Sequence, residues 1–354
     1  MTDKQRMMIR EDMERIFDSL PDLESLKNKK MLITGANGML AGYLVRFFAY
    51  LNSEKSFRMT VYALSRNGAK LEENFRDEIE QGGVIPLVQD VTDTIPDDIT
   101  PDVIFHLAGN ADPGSIMNDP DGVIRANVEG TVNMLELARK SNAEIVFAST
   151  REVYGALPEG TLKIREDDMG SLDMTDPRTC YPASKRKAEA LLKDYNNKYY
   201  VNYINLRIAH VYGPEMKIEN DGRVMADFLG DAIHGRNIVM KSSGDMLRAF
   251  CYITDAVSGI LTAYLKGERN TSYNLANETE EISVRDLAGL IAGSASEKAG
   301  LPKTNVVYDL SADKSGYAKF ERVSLDTSRL EALGWRPEVS LEDGIVKTLK
   351  YLSR

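Results

Sequence analysis

Apolar residues in this chain fall into short continuous runs separated by longer stretches of helical period, the alternation that builds an α/β fold. Lys30-Met-Leu-Ile-Thr34 is the first such run and reads as a buried parallel strand. It leads into Gly35-Ala-Asn-Gly38-Met-Leu-Ala41-Gly42 and then a periodic apolar stretch over residues 43–51, so the order is strand, glycine turn, helix. Gly35 permits the tight turn, and Gly38 lets the backbone approach a pyrophosphate. The helix that Met39 and Leu40 open offers free N–H groups and a positive dipole end. Ala41 stands where a small residue allows close helix–strand packing. Residues 59–64, 84–88, 103–108 and 144–148 predict strands two to five, and 122–140 a long helix. Before them, Met8, Met13, Ile16, Phe17 and Leu20 predict a helix ended by Pro21, packed on the domain or across a subunit contact. After them come a loop at Asn220–Arg223, a helix over 225–233, short strands at 238–241 and 273–276, and a helix over 282–299 capped by Ser283. Residues 326–334, with Trp335 and Pro337, predict a last helix and turn.

Length and composition narrow the class. A chain of 354 residues suits one large α/β unit or two domains. Its 43% hydrophobic and 28% charged content is that of a soluble globular protein. A net charge of -10 argues against a general nucleic-acid or anionic-membrane surface. The two cysteines, Cys180 and Cys251, form no Cys-x-x-Cys pair, which points to a reducing compartment, the cytoplasm. Three scattered histidines propose no metal site. The first thirty residues lack the apolar core of a signal peptide, and no run approaches a membrane span.

Candidate chemistry gathers at the predicted strand ends, where open α/β sheets bind ligands. Ala108 and Gly109, next to Leu107, leave room for a cofactor backbone, and Asn127 on the long helix can brace an active site. His106 sits inside an apolar run and reads as a packed core residue. The end of strand two reads Ser65-Arg66-Asn67, without the acid that would bind the ribose 2′-hydroxyl of NAD. A hydroxyl beside a guanidinium suits the 2′-phosphate of NADP; otherwise Arg66 is a surface charge. Asp90, beside Val91, can accept from an adenine amino group; Asp93 reads equally as a helix cap. Ser149, Thr150 and Glu152 are candidates by position and by type. Tyr181-Pro-Ala-Ser-Lys185 puts a phenol and an ammonium on one helix face, where the charge lowers the phenol's pKa for proton exchange. Alone, that spacing also describes many solvated helices.

Several motifs occur in register over residues 30–350: Thr34-Gly-Ala-Asn-Gly38, Asp90-Val-Thr-Asp93, His106-Leu-Ala108, Ser149-Thr150, Tyr181…Lys185, Arg207…Tyr212-Gly-Pro214 and Arg248-Ala-Phe-Cys-Tyr-Ile-Thr-Asp255. Together they resemble the extended short-chain dehydrogenase/reductases, in the nucleotide-sugar branch of NAD-dependent epimerases and dehydratases. The resemblance implies a Rossmann fold, a doubly wound parallel sheet with a smaller C-terminal α/β substrate domain. Residues 1–29 would be a helical extension, 30–210 the NAD(P)-binding domain and 211–354 the substrate-binding region, with the chain free to cross back. It also implies a homodimer through helices 122–140 and 181–199, and bound NAD, against the lean of Arg66 toward NADP.

Within that branch, Thr150-Arg-Glu-Val-Tyr-Gly155, Pro177-Arg-Thr-Cys-Tyr181 and Gly213-Pro-Glu-Met216 with Asn220-Asp-Gly-Arg-Val224 are similar to UDP-glucuronate decarboxylases. This implies catalytic roles for Thr150, Glu152, Tyr181 and Lys185. Cofactor contacts would come from Gly35, Asn37, Gly38, Met39, Leu40, Ser65, Arg66, Asp90, Val91, Leu107, Ala108, Gly109, Asn127 and Ser149, with Tyr181 and Lys185. Arg151, Arg223 and Arg248 would meet a nucleotide-sugar substrate. Arg151 is either a clamp for a substrate carboxylate or a surface residue, since neighbours on a strand alternate faces. It stands where those enzymes carry serine, and Pro-Ala-Ser follows the tyrosine where they read Asp-Glu-Gly. The implied chemistry oxidises C4 of the sugar with NAD(P)+ and then decarboxylates. A 4,6-dehydratase or a 4-epimerase is the enzymatic alternative, and Glu152 weighs against the latter, which needs no acid there. A non-catalytic NAD(P)-binding regulator is the alternative of another class, and it has no use for Thr150, Tyr181 and Lys185 together.

Overall fold

The computed structural model describes residues 1–20, 22–219, 221–310 and 323–353. Pro21 and Asn220, which figure in the expectations above, lie outside the described residues. A seven-stranded, wholly parallel sheet forms the centre. Its strands are β1 (Lys30–Thr34), β2 (Thr60–Ser65), β3 (Ile85–Val88), β4 (Val103–His106), β5 (Glu144–Thr150), β6 (Tyr203–Ile208) and β7 (Thr271–Leu275). They lie in the order β7-β6-β5-β4-β1-β2-β3. The order reverses between β1 and β4, which opens a crevice at their carboxyl ends. β7 pairs with β6 in parallel, so the chain returns to the sheet from the region beyond residue 210.

The helices used below are α1 (Asp3–Ser19), α2 (Met39–Lys55), α3 (Gly68–Asn74), α4 (Pro120–Ser141), α5 (Cys180–Tyr199), α6 (Val224–Ile233), α7 (Ile253–Lys266), α8 (Val284–Glu297) and α9 (Leu341–Leu352). Both sheet faces are covered, which is why β1 reads as a continuous apolar run: Met31 and Ile33 join the core containing α1, α2 and α7, whereas Leu32 joins the core of α4 and α5. α1 packs on the domain itself. Its Asp12 is fully buried, accepts from the hydroxyls of Tyr43 (3.1 Å) and Tyr252 (3.3 Å), and lies 2.8 Å from Lys347 Nζ. Ser283 caps α8 as expected, accepting from Asp286 N–H. α9 was not foreseen, although Leu341, Ile345 and Leu349 recur at helical spacing and Ser340 caps it. No helix follows Asp93; it closes a tight turn with Asp90 instead of capping one.

Candidate active site

At the end of β1, backbone shape does the work. Gly35 has φ +75°, and a side chain there would press on the Cα and N of Ala108 at 3.0 Å. Thr34 Oγ accepts from the N–H groups of Leu107 (3.1 Å) and Ala108 (3.0 Å), tying β1 to the end of β4. It therefore donates to His106 Nδ1 at 2.8 Å. Thr131 Oγ donates to Asn127 O at 2.6 Å, so it accepts from His106 Nε2–H at 3.1 Å. Both ring nitrogens are satisfied, and burial lowers the imidazole to about 3, so His106 is a neutral core residue, as its place in an apolar run predicts.

α2 begins on Gly38 with no side-chain cap, which leaves the first N–H groups at Met39 and Leu40 facing the crevice end of the helix. Asn37 lies beside it, its amide donating to Ser65 Oγ (2.7 Å) and Asn67 O (2.9 Å). Arg66 is exposed and sits 3.5 Å from Asp90. Asp90 also accepts from the N–H (2.9 Å) and hydroxyl (2.8 Å) of Thr92. Burial opposes its charge, but these bonds and Arg66 hold the carboxyl below its usual range. Val91 packs under Gly130 of α4.

Across the crevice, β5 delivers side-chain chemistry. It runs to Thr150, beyond the predicted end, and the chain then enters a 3-10 turn at Arg151–Tyr154. The alternating-face argument for Arg151 therefore does not apply. Thr150 Oγ accepts from Glu152 N–H at 3.2 Å, and the Thr150 hydroxyl acts on the Tyr181 phenol. Thr150, Tyr181 and Lys185 are all buried, at 7%, 6% and 3% exposure. Glu152 reaches solvent, yet the protein around it desolvates its carboxyl and pushes it up, against Arg178 and then Arg151.

The electrostatics of Tyr181 differ from the expectation. Burial, with Glu152, raises the phenol; Thr150 and then Arg223 pull it down. The ammonium of Lys185 is directed elsewhere: it donates to Ala148 O at 2.8 Å and stands over the Phe147 ring. Burial lowers it to about 8. A side chain at Gly109, whose φ is +155°, would meet Asn127 Oδ1 at 2.7 Å and Lys185 Nζ at 3.4 Å, so these three converge. Asn127 donates to Ser184 Oγ at 3.0 Å, and its fully buried Oδ1 has no hydrogen-bond partner.

The three arginines expected to meet a substrate are placed unequally. Arg223, just before α6, is gripped by the buried Asp221 through two bonds of 2.5 and 2.8 Å, and its charge acts on Tyr181. Arg151 donates to Val323 O at 3.1 Å while acting on Glu152. Arg248 lies on the short strand Leu247–Ala249 and donates to Leu247 O. Sequence reasoning missed Arg178 and Asp221 as members of the site. Both lie inside quoted motifs, two residues from an arginine or three from the tyrosine already singled out. Ser149, expected among the cofactor contacts, donates its hydroxyl to Glu189 at 2.5 Å. An uncapped glycine-led helix, the bare Gly109 and the unpartnered Asn127 oxygen suit a dinucleotide lying from α2 toward Lys185. Among the described residues no cluster could hold a metal ion, and no helix is long and apolar enough to cross a membrane.

The family model described as NAD dependent epimerase/dehydratase family matches residues 31–276. UDP-glucuronic acid decarboxylase 1 of Xenopus tropicalis is 32% identical over 354 residues, covering 97% of this chain and 78% of the relative. UDP-glucuronic acid decarboxylase 1 of Danio rerio is 31% identical, over 94% of this chain and 74% of the relative. UDP-glucuronic acid decarboxylase 6 of Arabidopsis thaliana is 30% identical, over 90% and 87%. Among solved structures, UDP-glucose 4-epimerase of Thermotoga maritima with UDP-glucose superposes with a TM-score of 0.75 at 22% identity, covering 91% of this chain and 98% of that one. The dTDP-glucose 4,6-dehydratase of Bacillus anthracis in complex with NAD gives 0.72 at 19%, covering 91% and 96%. These two likenesses show the Rossmann-like fold. With the family model spanning most of the chain and relatives at this identity along nearly its full length, the chain belongs to the NAD dependent epimerase/dehydratase family.

Proposed function

We propose that this chain decarboxylates a nucleotide-linked uronic acid, UDP-glucuronate in the first instance. The observation that carries the reading is Glu152: a carboxyl held toward its protonated form beside Tyr181, with Arg178 and Arg151 near enough to draw it back to the anion. The similarity to UDP-glucuronic acid decarboxylases supports the same choice.

NAD+, when bound, supplies a hydride acceptor for C4 of the sugar. Gly35, Gly38, Met39 and Leu40 would hold its pyrophosphate, Ser65 and Asn37 its adenosine ribose, and Lys185 with Asn127 the nicotinamide end. Tyr181 takes the proton of the C4 hydroxyl, and Thr150 holds that oxygen in line. A carboxyl on C5 is β to a carbonyl at C4 and leaves as CO2. Glu152 then gives a proton to C5, and Tyr181 gives its proton back to the C4 oxygen as the hydride returns to C4, so that no net NADH forms. Arg223, fixed by Asp221, lies near the phenol, and its charge favours the tyrosinate that this step requires.

NAD rather than NADP goes with this reading. The family description names NAD, and Arg66, the residue that suggests a 2′-phosphate, already faces Asp90. The division into nucleotide and substrate regions near residue 210, a homodimer through α4 and α5, and a reducing cytoplasm belong to the same proposal. The side-by-side packing of those helices, with Ile124 and Tyr199 exposed, supports the dimer. The free thiols Cys180 and Cys251 support the compartment.

The test is incubation of the purified protein and NAD+ with UDP-glucuronate, with products followed by mass spectrometry. CO2 and a UDP-pentose with no net NADH are the expected result. A 4-keto-6-deoxy product from a nucleotide hexose, or inversion at C4, would replace decarboxylation by dehydration or epimerisation. Cofactor binding without turnover of any nucleotide sugar would leave a regulator.

A further inference from the structure

We propose that Glu189 and Arg207 are positioning residues for Tyr181, Thr150 and Lys185, locking the end of β5 to one face of α5. The proposal rests on the catalytic roles assigned above. Tyr181, Lys185 and Glu189 recur every fourth residue and share a helix face. Each acts on one of three consecutive residues of β5. Lys185 Nζ donates to Ala148 O at 2.8 Å, Glu189 Oε1 accepts from Ser149 Oγ at 2.5 Å, and the Tyr181 phenol is pulled down by the Thr150 hydroxyl. The third pair is the proposed reaction centre, and the two bonds fix its approach.

Arg207 holds the carboxylate of Glu189 from behind. Ser149 and Arg207 face each other in the β5–β6 register. The guanidinium meets Glu189 through Nε to Oε1 (3.1 Å) and Nη2 to Oε2 (2.7 Å). Its Nη1 donates to Glu166 O at 2.7 Å, and its plane stands over the Tyr154 ring at 4.8 Å. Both side chains are nearly buried, at 6% for Arg207 and 12% for Glu189. A buried ion pair adds little net stability over apolar residues of the same shape, but it specifies orientation. Its oxygen on Ser149 is where that orientation is spent.

The charge of Glu189 also reaches Lys185. Burial pushes that ammonium down, and Glu189 pushes it up. The other groups around them are His106 on β4, neutral as shown above, Tyr181 on the same helix, Arg207 on β6, and Arg186, which donates to Val153 O and Gly170 O. Glu189 is thus placed to keep Lys185 charged where the nicotinamide end of the cofactor would lie.

Three variants test this: Ser149→Ala, Glu189→Gln, and the double Glu189→Gln/Arg207→Met, which leaves no buried unpaired charge. Tm, NAD+ occupancy and the pH profile of kcat on UDP-glucuronate are measured for each. Lys185 is titrated by NMR in isotope-labelled wild type and Glu189→Gln without substrate, its signal assigned with Lys185→Arg. We expect the double variant to regain the Tm lost by Glu189→Gln while its kcat stays down by ~10-fold or more. Its alkaline limb, and the Lys185 titration in Glu189→Gln, should move to lower pH by about half a unit or more. Ser149→Ala should lose kcat with Tm and cofactor occupancy kept. A double variant and Ser149→Ala that both retain kcat within about twofold, with an unmoved Lys185 titration, would overturn the proposal and leave a merely structural ion pair. If wild type fails to turn over UDP-glucuronate, the functional reading falls alone, and the Lys185 titration still decides this one.

Discussion

The two sides of the crevice work by different means. At the end of β1 the chain supplies shape: Gly35 in a left-handed conformation against Ala108, an uncapped helix, and a threonine that ties two strands together. Both ring nitrogens of His106 are satisfied. At the end of β5 it supplies charge held under tension: a buried phenol raised by its surroundings, a buried ammonium lowered to about 8, and an enclosed carboxyl pushed up. The first side has the shape of a binding surface, and its buried histidine is neutral with both nitrogens paired. The second carries perturbed groups, the arrangement proton transfer requires. Changes on the first side should therefore alter cofactor affinity and folding together, whereas changes at Glu152 and Tyr181 on the second should alter turnover with both intact.

The largest effect expected is from Gly35→Val. The left-handed backbone and the 3.0 Å approach to Ala108 leave no room for a branched side chain, and the strain alone costs on the order of 1–3 kcal/mol. Loss of measurable NAD+ binding by calorimetry, with a lower Tm, is the expected outcome. Next, Glu152→Gln should reduce CO2 release ~10²-fold or more while transient NADH absorbance on adding substrate is retained. If the absorbance vanished as well, Glu152 would belong to the C4 step. A third check uses pH. Lys185 is protonated below about 8 and neutral above it, so turnover that needs the ammonium should fall as pH rises through that value. Lys185→Met should abolish both the activity and its alkaline limb. The smallest effect is a control: Tyr200 ends α5 with φ +60° and is 86% exposed. Tyr200→Gly should raise stability by about 1 kcal/mol in denaturant melts and leave kcat unchanged, separating the rigidity of α5 from its chemistry.

What could be read along the chain was local. The glycines, the helix after them and the Tyr181–Lys185 spacing lie within a few residues of one another, and backbone rules alone locate them. His106 was legible as core because its run of neighbours is apolar. The return of β7 to the sheet was less so, because its pairing with β6 joins segments about seventy residues apart. The direction of the phenol's shift was misread because it depends on burial and on Glu152, neither of which the Tyr181–Lys185 spacing reveals. The bond from Ser149 to Glu189 was not legible, since nothing next to Ser149 names an acceptor 40 residues further on. Glu189 does follow Lys185 by one helical turn, the same signal that singled out Tyr181.

The most direct test of the account is CO2 release from UDP-glucuronate by wild type and by Tyr181→Phe, with bound NAD+ quantified in the same samples. Removing one hydroxyl should lower the rate ~10²-fold or more while NAD+ occupancy stays equal. Equal rates in the two proteins would contradict it, since the phenol would then play no part in moving the C4 proton.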